Sequence, residues 1–188
     1  MIFSFFINDK ECHIYTEKFS NIYKVDETRK MADNVMSFFS DALKKINGLS
    51  IKKLIFSSGP SSFTTTRISN SIAKGMKIAK DDLSITSVSS FLTYFSLSNA
   101  SRGTFAIPTN CGDYYCATLS NLIISKRKIQ TNNSLNKLEN VHHAEKFSQE
   151  NLAFFQLLSS QSELAKTNRH LITETLDQHY EFTPKYRY

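Results

Sequence analysis

An α/β fold, a mixed sheet covered by helices and followed by a less regular second lobe, is what this sequence of 188 residues predicts. Three observations carry the prediction. Short apolar β-like runs open the chain. Amphipathic helical patterns then alternate with further apolar runs in the order βββαβαβα. The pattern breaks in small and polar residues around Asn99-Ala100-Ser101-Arg102-Gly103, which places a lobe boundary there and divides the chain into residues 1–100 and 101–188.

The elements follow in order. Ile2 to Ile7 and Cys12 to Tyr15 flank the turn residues Asn8-Asp9-Lys10 and read as a β-hairpin, with a third strand around Asn21 to Val25 completing a meander. Asp26 is placed to cap a long helix in which Met31, Val35, Phe38, Phe39, Ala42, Leu43 and Ile46 recur at three- and four-residue spacing, and Gly48 is placed to stop it. With Met36 beside that stripe, the helix has apolar surface for a core and for a neighbour. Leu54-Ile55-Phe56 is the next strand, Gly59-Pro60 a turn, and Ser62 to Lys80 a second helix. Leu83 to Val88 is a strand, and Ser89 or Ser90 caps a short helix from Phe91 to Leu97.

Past the boundary, Thr104 to Ile107 and Tyr114 to Leu119 read as paired strands, followed by a run near Leu122 to Ser125. Asn132 to Asn140 reads as polar loop and Asn151 to Leu164 has helical spacing. A tail with Pro184 closes the sequence.

Composition excludes several classes. Three cysteines without a C-x-x-C pair suggest neither a disulfide framework nor a zinc cluster. The greasy opening is cut short by Asn8-Asp9-Lys10 and is too short for a signal core or membrane span, so a cytoplasmic protein without membrane association is expected. A net charge of +6 permits attraction to nucleic acid, but the basic residues are scattered and interrupted by acids.

The most informative stretch joins a strand to a helix: Ser58-Gly59-Pro60-Ser61-Ser62-Phe63-Thr64-Thr65-Thr66-Arg67-Ile68-Ser69. Such a loop aims backbone N–H groups at whatever precedes the helix. A phosphate cradle needs glycine for close backbone approach, and only Gly59 remains before the helix, so a capped helix start is the expectation. Along the helix, Thr65, Ser69 and Ala73 form a row of small side chains, while Ile68, Ile72, Met76 and Ala79 form an apolar row, which suggests two neighbours.

This stretch resembles the signature of the TsaB (YeaZ) family, Gly-Pro-Gly-Ser-Phe-Thr-Gly-x-Arg-Ile-Gly followed by Ala-x-Gly-Leu. Gly59, Pro60, Ser62, Phe63, Thr64, Arg67, Ile68, Ala73 and Gly75 match; Ser61, Thr65 and Ser69 stand where the family has glycine. Val88-Ser89-Ser90-Phe91, Ala106 to Tyr115 and Pro184-x-Tyr186-Arg187 resemble later family segments in the same order. At the start, Ile2 through Cys12 aligns with Ile-Leu-Ala-Ile-Asp-Thr-Ser-Thr-Glu-x-Cys and puts Phe6 at the acid. A phenyl ring can neither ligate a hard cation nor accept a proton.

The resemblance implies a two-lobed actin-like ATPase (ASKHA, RNase H-like) fold with a reduced second lobe. It also implies a noncatalytic scaffold without cofactor or metal, acting in bacterial tRNA threonylcarbamoyladenosine synthesis. The implied partners are a TsaD-like catalytic subunit, a TsaE-like ATPase and, through the complex, tRNA, with a homodimer when the chain is alone. The family contact with TsaD implies an interface on the two helices, at Met31, Val35, Met36, Phe39, Phe63, Thr65, Arg67, Ser69 and Ala73.

Two competing readings stand beside this one. An actin-like-fold enzyme, a phosphotransferase or metallopeptidase, would need a base or metal pair. None of His13, His142, His143, His170 and His179 forms a helix pair for a metal, and His142-His143 is expected in a solvated loop. A stand-alone tRNA-binding module would use Tyr180, Tyr186 and Tyr188 beside Lys185 and Arg187.

Overall fold

A computed structural model describes residues 1–26, 30–47, 50–98, 100–109, 112–136, 138, 140–143 and 163–173. Two compact units emerge, Met1–Val88 together with Thr173, and Ser89–Ile172.

The first unit is built on the strands β1 (Ile2–Ile7), β2 (Glu11–Thr16), β3 (Ser20–Lys24), β4 (Lys53–Gly59) and β5 (Ser84–Ser89), with β10 (Ile172–Thr173) at the edge. The order across the sheet is β10-β5-β4-β1-β2-β3. β2 runs antiparallel to β1 and β3, whereas β4 is parallel to β1. A parallel neighbour requires a crossover, and α1 (Met31–Lys45) supplies it.

Alternation along β1 explains the core. Phe3, Phe5 and Ile7 join Cys12, Ile14, Leu54 and Phe56 in one cluster with Met31, Val35, Phe39 and Ala42 of α1 and Ala73 of α2 (Phe63–Ala79). Phe5 meets Phe39 edge-on at 5.0 Å and stacks on Phe56 at 5.6 Å between ring centroids. Each such fully buried phenyl ring contributes about 1.5–3 kcal/mol. Burial also pushes the Cys12 thiol up to about 12, which makes it a packing group.

The start of α1 differs from expectation. The helix begins at Met31 with Lys30 as N-cap and no side-chain cap, rather than at Asp26. The expected stop, Gly48, lies outside the described residues.

The second unit holds α3 (Ser90–Ser98) and a four-stranded sheet of order β8-β7-β6-β9, made from β6 (Gly103–Pro108), β7 (Asp113–Ser120), β8 (Ile123–Thr131) and β9 (Val141–His143). Tyr94 stacks on Phe105 at 4.9 Å and Phe95 meets it edge-on at 5.6 Å, so α3 belongs with this sheet and the change of unit falls at Val88/Ser89. α4 (Asn132–Leu135) lies in the stretch expected to be loop; its Leu135 is buried with Ala106 and Cys116.

His142 and His143 are a correction. They form β9, paired in parallel with Phe105 and Ala106, instead of a solvated loop. The His142 ring lies nearly parallel to Phe105 at 6.3 Å, and His143 meets Tyr114 edge-on at 5.8 Å. Gly103 makes room for this approach: a Cβ there would lie 2.9 Å from both Asn140 O and His142 Nε2.

α5 (Glu163–Thr167) and a short 3-10 turn, Arg169–Leu171, follow. Between them Asn168 is fully buried. Its Nδ2 donates to Leu122 O at 2.6 Å and Leu164 O at 2.9 Å, and its Oδ1 accepts from Ile124 N at 2.8 Å. These bonds hold the tight β7–β8 turn, where Asn121 and Leu122 have φ of 49° and 63°. The expected helix from Asn151 lies outside the described residues up to Ser162, as do the tail tyrosines Tyr180, Tyr186 and Tyr188. No helix among the described residues is long and apolar enough to cross a membrane.

Candidate functional site

The strand-to-helix loop after β4 packs against the β1–β2 turn. In that turn Asn8 Oδ1 accepts from Lys10 N at 2.8 Å and Glu11 N at 2.7 Å, a side-chain-closed turn that presents Asp9. Gly59 ends β4 with φ of +100°, where a Cβ would come within 3.3 Å of Thr66 Oγ1. Ser62 then caps α2, its Oγ accepting from Thr65 N at 3.3 Å, as expected for a capped helix start.

Hydroxyls fill the space a phosphate loop would leave open. Ser61 Oγ lies 2.8 Å from Thr65 Oγ1 and 2.9 Å from Thr66 Oγ1, and Ser62 Oγ lies 2.9 Å from Thr65 Oγ1. Thr65 Oγ1 also donates to Ser62 O at 2.9 Å. Asp9 Oδ1 accepts from Ser62 Oγ at 2.6 Å, so a carboxylate of the chain itself sits at the amino end of α2, where the helix dipole favours negative charge. The arrangement is a closed lock between hairpin and helix. An incoming anion would have to displace Asp9 and break hydroxyl contacts already made.

The neighbouring strands hold one buried ionisable pair. His13 Nε2 donates to Glu11 Oε2 at 2.9 Å, and Lys24 Nζ lies 3.6 Å from Glu11 Oε1. Burial lowers the His13 pKa below the usual imidazole value, an effect that Glu11 partly offsets and Lys24 reinforces. Phe6, half-buried, meets the His13 ring edge-on at 5.9 Å. Among the described residues no group of three or more His, Cys, Asp or Glu side chains could hold a metal ion.

α1 and α2 contact each other and share one face of the sheet. Of the expected interface residues, Met31, Val35, Phe39 and Ala73 lie in the core, and Thr65 and Ser69 are buried with them. Phe63 is the first residue of α2. Met36, at 69 % exposure, and Arg67 are the members that reach solvent. Ile68, Ile72 and Met76 are partly buried against the core, so the small row and these three members of the apolar row turn inward, while Ala79 is exposed. Two further apolar side chains stand out on these helices, Leu43 at 42 % and Ile78 at 81 % exposure. Ile78 was legible as a residue off both rows of α2, and Leu43 lies two turns along α1 from Met36.

No protein-family model matches this chain, and no curated protein does. Solved structures do. YeaZ from Pseudomonas aeruginosa aligns over 92 % of this chain and 96 % of its own with a TM-score of 0.58 and 14 % identity. The chain has the YeaZ fold. A second crystal structure, described as an uncharacterized protein with similarity to peptidase YEAZ from Pseudomonas aeruginosa, aligns over 88 % of this chain and 95 % of its own with a TM-score of 0.55 and 15 % identity. The mixed sheet, with β2 antiparallel and β4 parallel to β1, and the second set of strands that follows it agree with the α/β arrangement expected from the sequence.

Proposed function

We propose that this chain is a divergent TsaB (YeaZ) family member. In this reading it is a noncatalytic scaffold in bacterial tRNA threonylcarbamoyladenosine synthesis, docking a TsaD-like catalytic subunit through the exposed faces of α1 and α2. A TsaE-like ATPase and tRNA join through the complex. The observation that carries the reading is the conjunction of the YeaZ fold with a phosphate loop closed on itself by Asp9, Ser61, Ser62 and Thr65. Such a loop supports a protein that works by contact. Met36, Leu43 and Ile78 expose large apolar side chains on these helices, and Arg67 is exposed on α2.

Co-purification with the TsaD-like protein of the same organism is the test. Met36→Asp and Ile78→Asp lie on exposed positions and leave the core intact, and each weakens that binding at least tenfold. Full binding by both folded variants would remove this surface from the proposal, and absence of any complex would remove the scaffold itself. A phosphotransferase or peptidase activity of the isolated chain would overturn the noncatalytic assignment.

A further inference from the structure

The tip of the β7–β8 hairpin departs twice from what its local structure favours. Ser120 and Ile123 close a two-residue loop, and the residues between them, Asn121 and Leu122, have φ of 49° and 63°. Positive φ at both central positions is the turn that favours Asn followed by Gly. Asn121 fits that preference. Leu122 does not, because a bulky side chain is disfavoured in left-handed backbone, and this one is 44 % exposed. The second departure is its neighbour. Along β8, Ile124 is buried opposite Leu119, so alternation leaves Ile123 and Ser125 on the exposed face. Serine suits such a position, whereas Ile123 is an aliphatic side chain at 54 % exposure.

The tip is nevertheless held firmly. Asn168, fully buried, donates to Leu122 O at 2.6 Å and accepts from Ile124 N at 2.8 Å, so it brackets the two apolar residues and fixes the left-handed backbone. A large aliphatic group kept in a disfavoured conformation, braced from behind and left in water, is a presented group. Cations stand beside it. Gly103 pairs with Leu119, which puts Arg102 one strand away from Ser120, and Arg169 directly follows Asn168. Both arginines are exposed, and among the described residues neither makes an ion pair or a side-chain hydrogen bond. Glu163, in the α5 segment just before Asn168, is already paired with Lys166 at 3.0 Å.

We infer that this tip is an interfacial anchor for an anionic lipid bilayer, with Leu122 and Ile123 entering the acyl boundary and Arg102 and Arg169 meeting the headgroup phosphates. A convex tip needs no complementary cavity at a bilayer, and aliphatic side chains are among those best accommodated there. Juxtaposed arginines add attraction to an anionic leaflet. Protein-binding hot spots are rich in Trp, Tyr and Arg and poor in Leu, which ranks a protein pocket second as the occupant. Such a contact needs no membrane-spanning segment, and it uses none of the helix surface proposed above for docking.

Sedimentation with vesicles tests the anchor on the chain alone, with vesicles of phosphatidylcholine and vesicles of phosphatidylcholine mixed with phosphatidylserine. The intact chain sediments reversibly with the mixed vesicles, with a partition constant on the order of 10⁴ M⁻¹ or below, the range of a single lipid chain. Binding to phosphatidylcholine alone is roughly tenfold weaker. Replacing both apolar residues, by Leu122→Gly and Ile123→Thr, lowers binding to either vesicle by about tenfold or more. Arg102→Gln with Arg169→Gln abolishes the preference for phosphatidylserine. Leu122→Gly by itself separates the anchor from the turn: it supplies the residue this backbone prefers, so the unfolding midpoint stays at or above the parent's while binding falls. No sedimentation of the intact chain with either vesicle would overturn the anchor in favour of a protein pocket. Unchanged binding by the folded double apolar variant would also overturn it, and a lowered midpoint for Leu122→Gly would assign Leu122 to the fold instead. No partner protein is present in the assay, so its outcome and that of the docking test are independent.

Discussion

Replacing Asn168 by alanine tests the clamp that joins α5 to the β7–β8 turn. The side chain is fully buried and makes three bonds, to Leu122 O, Leu164 O and Ile124 N. They do not weigh equally. Ile124 is buried, at 3 % exposure, so its N–H is left without a partner and its loss costs about 1–3 kcal/mol. Leu122 is exposed and its carbonyl can turn to water, and Leu164 is half-buried, so those two bonds contribute about 0.5–1 kcal/mol each. The sum is about 2–5 kcal/mol. For a chain of this size that lowers the unfolding midpoint by of order 10 °C. Urea unfolding followed by circular dichroism measures the free energy, and hydrogen exchange at the Ile124 amide reports the clamp itself. Asn168→Asp keeps the acceptor for Ile124 N but replaces a donor by a carboxylate facing two carbonyls, so it protects the Ile124 amide while still destabilising. If Asn168→Ala costs under about 0.5 kcal/mol, or leaves exchange at Ile124 unchanged, the account of the clamp is wrong.

Two further outcomes are expected. His13 has a folded pKa below its unfolded value, so the unfolded chain binds the proton more readily; the associated stability is present above about pH 6.5 and declines as pH falls below it. The unfolding midpoint therefore drops between about pH 7 and pH 5, and His13→Gln flattens that part of the profile; a variant with the parent's slope would assign it to other groups. Thr65→Gly restores the residue of the resembled motif but removes a buried hydroxyl with three close partners and introduces glycine into a helix, so it destabilises by about 1–3 kcal/mol in urea unfolding. A gain in stability would show that the hydroxyl lock is strained.

Much of the first unit was legible because its signals are local. The runs at Ile2 to Ile7 and Leu54 to Phe56 and the periodicity from Met31 to Ile46 each predict an element without reference to the rest of the chain. Errors arise where partners are distant. β9 is three residues long and exists because Val141, His142 and His143 pair with Thr104, Phe105 and Ala106, a register no local window contains. β8 runs on to Thr131 because it stays paired with β7 as far as Asp113. At the candidate site, the missing glycines and Phe6 were readable one by one, but Asp9 meets Ser62 across 53 positions of sequence. The interface residues show the same limit in another form. Periodicity names an apolar stripe, but only packing divides Val35 and Phe39, which are inside, from Met36, which is outside.

The sheet order has a consequence for dissecting the molecule. β10 follows the second unit in sequence and flanks β5, so the first unit is not one continuous stretch of sequence. β5 is buried from Ile85 through Ser89. A fragment ending at Val88 would bare that strand as a raw margin, open to pairing with other copies. The second unit is thus an insertion within the first, and the join that follows it serves as a selvedge for the sheet.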